Sequence, residues 1–327
     1  MYDFATMVED LDYEPKQCVI IGGGNVAVEY GAFFQAAGIQ TTVLTRSPLL
    51  RTKSLHHVDE DIRRYLVDGM RKRGMEIIEG ALTLEIKGGE RAERVIAAGA
   101  DGESLEFECD FIFNGTGERP NSAIVRQWLD VATGPHEEVV VDSRMRTSLD
   151  NVYAVEDLIG SPMEMFEARK CGMTAARNIM GESCEFDFSE YPDFLHTTYE
   201  FSWVGLSEEE ARAAYDDVVV IQMPPKGMEN EETPLPASEG VMLYAFAKPE
   251  LSGLQKVVID GASRRILGFH HVGYGAKDAF QYLDYLLHRP EGLTIDERGQ
   301  MNELFLNPEH FIQLCRLRAG RKQLVDL

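Results

Sequence analysis

The run Cys18-Val-Ile-Ile-Gly-Gly-Gly-Asn-Val-Ala-Val-Glu29 constrains the fold of this chain more than any other stretch. Cys18 to Ile21 predicts a short buried strand, three glycines follow, and Val26 to Ala37 has the composition of a buried helix. A strand entering a helix through a glycine turn leaves the helix's free N–H groups and positive dipole end at the turn, where a pyrophosphate can sit. Gly22 permits the tight turn, Gly24 lets backbone approach a ligand closely, and Ala27 is small enough for helix to pack on strand. A bare strand-to-helix turn has the same local pattern, so the neighbouring sequence has to decide between them.

A second strand, Thr41 to Leu44, ends where an acidic residue would hold the ribose of a non-phosphorylated dinucleotide, yet no Asp or Glu occurs from Tyr30 to Val58. Arg46 and Arg51 stand there instead, with Lys53 behind them. Guanidinium groups at this place suit a 2′-phosphate, so the expected cofactor is NADP rather than NAD. The alternative is a solvated positive loop, which would be odd in a chain of formal charge -23. That acidity argues against nucleic acid and anionic membrane surfaces as partners.

At 327 residues the chain is long enough for two or three domains. The acidic N-terminus lacks a basic segment followed by an apolar one, and no apolar run reaches membrane length, so a cytoplasmic location is expected. Cys18, Cys109, Cys171, Cys184 and Cys315 are scattered without CxxC or CxxxxC spacing, as befits buried thiols in a reducing compartment rather than ligands; no metal site is expected.

In order along the chain, residues 1–15 predict a short helix and a linker, and 16–115 a Rossmann-like nucleotide-binding domain. Within the latter, Asp59 to Arg73 predicts an amphipathic helix and Met75 to Glu79 a third strand. Leu82 to Ile86, Arg94 to Ala98 and Leu105 to Cys109 predict an inserted β-meander, and Phe111-Ile-Phe113 closes the sheet. The central segment, 116–188, predicts strands from Val139 and over Asn151 to Asp157, then a helix from Glu164 to Met180. A last domain, 189–327, predicts a helix over Ser207 to Ala214, a Pro-rich loop over Pro224 to Pro236, and strands over Met242 to Ala247 and Gln255 to Asp260. The fold class is therefore α/β followed by an α+β domain.

The order Gly-x-Gly-x-x-Ala-Val-Glu29, Gly115-x-Gly117-Glu-Arg-Pro-Asn121, Val152-Tyr-Ala-Val-Glu-Asp157, Val204-Gly-Leu-Ser-Glu-Glu-Glu-Ala211 and Ile266-Leu-Gly-Phe-His-His-Val-Gly273 resembles the flavin-dependent pyridine nucleotide-disulfide oxidoreductases over nearly the whole chain. Longer runs resemble a carboxylating branch of that family. They include Pro162-Met-Glu-Met-Phe-Glu-Ala-Arg169, Tyr191-Pro-Asp-Phe-Leu-His196 and Glu303-Leu-Phe-Leu-Asn-Pro-Glu-His-Phe-Ile-Gln-Leu314. The resemblance implies NADP and FAD as cofactors, 2-oxopropyl-coenzyme M and CO2 as substrates, and a homodimer paired through the last domain. It also implies individual roles: Gly117 and Asp157 at the flavin, Glu29 near the nicotinamide, Arg169 on the sulfonate of coenzyme M, Met165 lining the pocket and Gln313 on a carboxylate product.

The usual reductases of this family carry a His-Pro followed five residues after the His by Glu. Here the matching places hold Asn307 and Ile312 or, shifted by two, Phe305 and His310. In the carboxylating branch a thiolate cleaves the thioether and an acetone enolate departs. A Phe beside it withholds the proton and excludes water, so the enolate attacks CO2 and gives acetoacetate. Phe305 and His310 are the catalytic candidates, His310 orienting or stabilising the intermediate.

Two departures bear on this expectation. Glu156 stands where the family has Gly, and the family's leading FAD fingerprint and redox cysteine pair are absent from the sequence. The expected identity is thus the C-terminal part of such an enzyme, truncated or needing a separate N-terminal FAD-domain chain. An NADPH-dependent disulfide or mercuric-type reductase and a non-catalytic NADP-binding, dimerising module are the alternatives.

Overall fold

The structure is a computed structural model, and it describes residues 1–3, 6–7, 11–52, 55, 58–160, 163–187, 193–197, 200–223, 253–273, 276 and 280–298. These form two compact units, Met1–Thr116 with Pro192–Leu327, and Gly117–Tyr191.

The first unit begins with β1 (Gln17–Ile21), α1 (Asn25–Ala36), β2 (Gln40–Thr45), α2 (Glu60–Lys72) and β3 (Glu76–Glu79). A meander of β4 (Leu82–Gly88), β5 (Ala92–Ala98) and β6 (Ser104–Glu108) follows, then β7 (Phe111–Asn114). Strands β3-β2-β1-β7 make a parallel sheet, and β4-β5-β6 an antiparallel one of their own. The strands run apolar because both faces of the parallel sheet are covered, with Ile20 and Val43 in one core cluster and Val19 and Leu44 in another. Helix α1 buries Ala27, Val28, Gly31, Ala32 and Phe34, and Tyr30 stacks on Phe113 at 4.5 Å between ring centroids.

After the second unit, the first unit resumes with β8 (Asp193–His196), β9 (Glu200–Gly205), α5 (Glu208–Ala214), β10 (Val218–Met223), β11 (Leu254–Asp260), β12 (Ile266–Val272), α6 (Phe280–Leu287) and α7 (Ile295–Arg298). Its five strands form an antiparallel sheet, β10-β11-β12-β9-β8. Period-two alternation sends Phe201, Trp203, Leu254 and Val272 into the core shared with α1 and α2. Val204, Val257, Ile259 and Phe269 go to a second cluster with α6. Helix α5 starts at a capping box in which Ser207 and Glu210 bond each other's backbone and side chain.

These two parts of the first unit are joined by a buried ionic cluster. Lys256 on β11 is 2 % exposed, and its Nζ reaches Asp59 at 2.9 Å, Asp61 at 2.8 Å and Glu208 at 2.7 Å. Asp59 is also the N-cap of α2, accepting from the Asp61 N–H, and it accepts from the Glu208 N–H. Burial opposes the charge on Asp59, but the charges of His270 and Lys256 and the bonds it accepts hold its carboxyl below the usual range.

The second unit contains α3 (Ala123–Trp128), a 3-10 turn (Glu156–Ile159) and α4 (Met165–Ile179). The strands expected from Val139 and over Asn151 to Asp157 are a correction. They reduce to isolated bridges, Thr133 to Val139 and Arg146 to Tyr153. Left-handed backbone at Met145 (φ 65°) and Asn151 (φ 61°) breaks the extended run on either side of the bridge. The loop at 224–236 and the strand at 242–247 lie outside the described residues.

Candidate functional site

The glycine turn sits between β2 and β7. The Gly22 N–H donates to the Leu44 carbonyl (3.0 Å) and the Gly115 N–H to the Ile21 carbonyl (2.8 Å). Gly22 has φ 139°, and a Cβ there would lie 2.0 Å from the Gly115 carbonyl oxygen, so no other residue fits. At Gly23 a Cβ would meet Thr45 Oγ1 at 2.2 Å. Gly24 is the N-cap of α1, and a Cβ there would find nothing nearer than Thr52 Cγ2 at 3.8 Å. Its freedom from side-chain atoms matters toward a ligand rather than toward the protein. Ala27 is fully buried against Gly115, the close approach expected of a small third residue.

No side chain caps α1, and its first turn carries no acidic residue. The helix therefore presents N–H groups and the positive end of its dipole beside a turn stripped of side chains, an arrangement that fits a dinucleotide pyrophosphate.

Glu29 lies at the other end of this turn's reach. Its Oε1 accepts the His196 N–H of β8 at 2.6 Å. Burial raises its pKa, against the lowering effect of that bond and of the His196 charge. Arg46 is exposed just past β2, with no bond or ion pair among the described residues. Arg51 is engaged: its Nη2 lies 2.8 Å from Glu60 Oε2 and 3.7 Å from Glu209 Oε1. Glu60 is held down to about 2 by hydrogen bonds from Arg63 first, and from Arg51. Lys53 is outside the described residues.

In the second unit, Gly117 has φ 99° with open space around it, and Asp157 is exposed in the 3-10 turn, its carbonyl accepting the Gly160 N–H at 3.1 Å. Glu156 has φ 63°, a conformation natural to glycine, so the turn keeps its backbone shape despite the charged residue. Met165 and Arg169, four residues apart on α4, are both exposed and share one face with the exposed Met173. Phe305, Asn307, His310, Ile312 and Gln313 lie outside the described residues.

Sequence reasoning passed over His196, Lys256 and the pair His271 and Ser202. Their signal is spatial: His271 and Ser202 are register partners on β12 and β9, both buried, and His271 Nε2 and Ser202 Oγ have no hydrogen-bond partner among the described residues. Burial drives the His271 pKa down to about 3.

Residues 4–172 match the model of the pyridine nucleotide-disulphide oxidoreductase family, and residues 191–309 match that family's dimerisation domain. A dihydrolipoyl dehydrogenase of Thermus scotoductus is 30% identical over 287 residues, 87% of this chain and 58% of the relative. A mercuric reductase of Lysinibacillus sphaericus is 24% identical over 322 residues, 97% of this chain and 54% of the relative. The chain thus spans little more than half the length of these relatives. A Cu(II) complex of the HOCl-induced flavoprotein disulfide reductase RclA from Escherichia coli shares the fold at TM-score 0.79 and 22% identity, over 96% of this chain and 67% of that one. By sequence family and by fold, the chain belongs to the pyridine nucleotide-disulphide oxidoreductases.

Proposed function

We propose that the chain supplies the NADP(H)-binding and subunit-pairing parts of a flavin-dependent oxidoreductase, most like 2-oxopropyl-coenzyme M reductase (carboxylating). The observation that carries the nucleotide part is the turn at Gly22 to Gly24, bare of side chains, at an uncapped helix start, with Arg46 open beyond β2. The family is FAD-dependent with NAD(P)H as electron donor. When bound, the nicotinamide supplies hydride equivalents that pass by way of a flavin to a disulfide. This chain's contribution is to hold the pyrophosphate at α1, to read the ribose at Arg46, and to place the Glu29 carboxylate. Asp157 would hold the flavin ribityl chain.

The carboxylating reading rests on the sequence runs around Arg169, His196 and His310. In that reading a thiolate attacks the thioether sulfur of 2-oxopropyl-coenzyme M, a mixed disulfide forms, and the C–S electron pair leaves as the enolate that takes up CO2. Arg169 would pair with the sulfonate and Met165 would line the same face, while Phe305 would keep proton donors from the enolate, His310 would stabilise it and Gln313 would hold the carboxylate product. The thiol would come from the redox cysteine pair of the family, and the assembly would be a homodimer. A disulfide or mercuric-type reductase is the second reading, favoured by the two relatives described above. A non-catalytic NADP-binding, dimerising module is the third.

The test is the visible spectrum of the purified chain after incubation with FAD and gel filtration, repeated anaerobically with NADPH. A retained yellow chromophore that bleaches supports an enzymatic reading. A colourless protein that binds NADPH supports the module, and a chain that binds neither refutes the nucleotide assignment.

A further inference from the structure

We propose that Arg51 is a positioning residue, bracing the ribose-facing loop after β2, and that of the two arginines it is Arg46 that discriminates at the ribose 2′ position. This rests on the nucleotide reading above and divides the two arginines that the sequence presents as equals. The loop is tied at successive residues. The Leu50 N–H donates to the Gly23 carbonyl (2.8 Å), which fastens the loop to the glycine turn itself. Leu49 is held at both ends: its N–H donates to Glu79 Oε1 at 2.7 Å, and its carbonyl accepts from Arg63 Nη1 at 3.1 Å. Leu49 and Leu50 are fully buried, and Leu50 has φ 61°, so the backbone has no alternative path here.

Arg51 continues the same bracing. Its Nε and Nη2 both donate to Glu60 Oε2, at 3.3 and 2.8 Å, the first turn of α2 being the fixed end. Beyond Glu60 it faces Glu209 on α5, so the brace runs from the nucleotide domain to the domain that carries the Lys256 cluster. A guanidinium set between two carboxylates has its fork directed at them, and a phosphate would have to displace Glu60 to use it. Arg46 has no such commitment among the described residues and sits directly after the last residue of β2. A pre-organised loop with one open guanidinium gains its 2′-phosphate contact without breaking an ion pair.

Dissociation constants for NADPH and NADH, measured by calorimetry on the full chain and on R46Q, R51Q and R51K, test the division. R46Q is expected to cut the preference for NADPH by about tenfold or more while the NADH constant stays within about twofold, the loss of one charge-assisted contact. R51Q and R51K are expected to weaken both nucleotides together, leaving the preference within about twofold of the wild type. The preference is a ratio, so partial destabilisation of a variant cancels from it. If R51Q cuts the preference by about fivefold or more with NADH binding intact, Arg51 is a phosphate contact and the division is wrong. If the wild type binds neither nucleotide, the nucleotide reading itself fails, and with it the proposal.

Discussion

Replacing Glu156 by glycine should stabilise the second unit. The residue holds φ 63° in an exposed turn, and no hydrogen bond through its side chain to the described residues compensates. Left-handed backbone costs a residue with a Cβ about 1–2 kcal/mol, while glycine gives back about 0.5–1 kcal/mol through the entropy of its unfolded chain. The difference is a net gain of about 0.5–1 kcal/mol. For a unit of this size that corresponds to a rise of roughly 2–8 °C in the midpoint of its thermal transition. Differential scanning calorimetry of wild type, E156G and E156A separates causes, because E156A removes the charge and keeps the Cβ. E156A should stay near the wild type, within about 0.5 kcal/mol. Gly160 serves as the converse control: at φ 92°, and with a Cβ that would meet Glu138 Cβ at 3.0 Å, G160A should lower the midpoint. An E156G midpoint equal to or below wild type, with G160A behaving as stated, would refute the left-handed assignment of residue 156.

Removing the Lys256 ammonium takes the buried cation from Asp59, which is fully buried, so K256M should cost about 3–5 kcal/mol in urea unfolding, and a loss under about 1 kcal/mol would show the cluster to be hydrated. Ser202 Oγ is buried without a partner among the described residues, so S202A should be neutral or stabilising by up to about 1–2 kcal/mol, measured by the same titration. Glu60 is ionised down to about 2 in the folded chain, against about 4.3 unfolded, so its share of stability is present above pH 4.3 and fades as pH falls toward 2. E60Q should flatten the midpoint-against-pH curve in that window. His271 has the opposite origin but the same sign: with a folded value of about 3 against about 6.5 unfolded, stability falls as pH drops through that interval, and H271L should remove that slope.

The nucleotide domain was legible in sequence because its signals are local. Glycines at 22 to 24 announce a turn, Asp59 is a polar cap before a 3.6-period pattern, and the meander carries Gly-rich turns. The expected bounds and observed elements there differ by at most two residues at either end. The strands expected at 139–157 failed because β-prone composition does not encode the left-handed residues Met145 and Asn151 that interrupt pairing. Arg51 was legible as a charge but not as a pair, since Glu60 and Glu209 meet it only through the fold. Lys256 gave no signal at all: a lysine in a β-strand reads as a solvent-facing residue until the carboxylates it neutralises, some two hundred positions earlier, are placed beside it.

The pairing of Asp59 with Lys256 also fixes an order of events during synthesis. Helix α2 leaves the ribosome long before β11, and until β11 arrives its N-cap carboxylate lacks the Lys256 ammonium. The nascent nucleotide domain therefore reaches its final electrostatic state only when the tail of the chain closes on it. A chimaeric chain that takes its last domain from a relative with no cation at that place would bury the Asp59 carboxylate without the ammonium that offsets it.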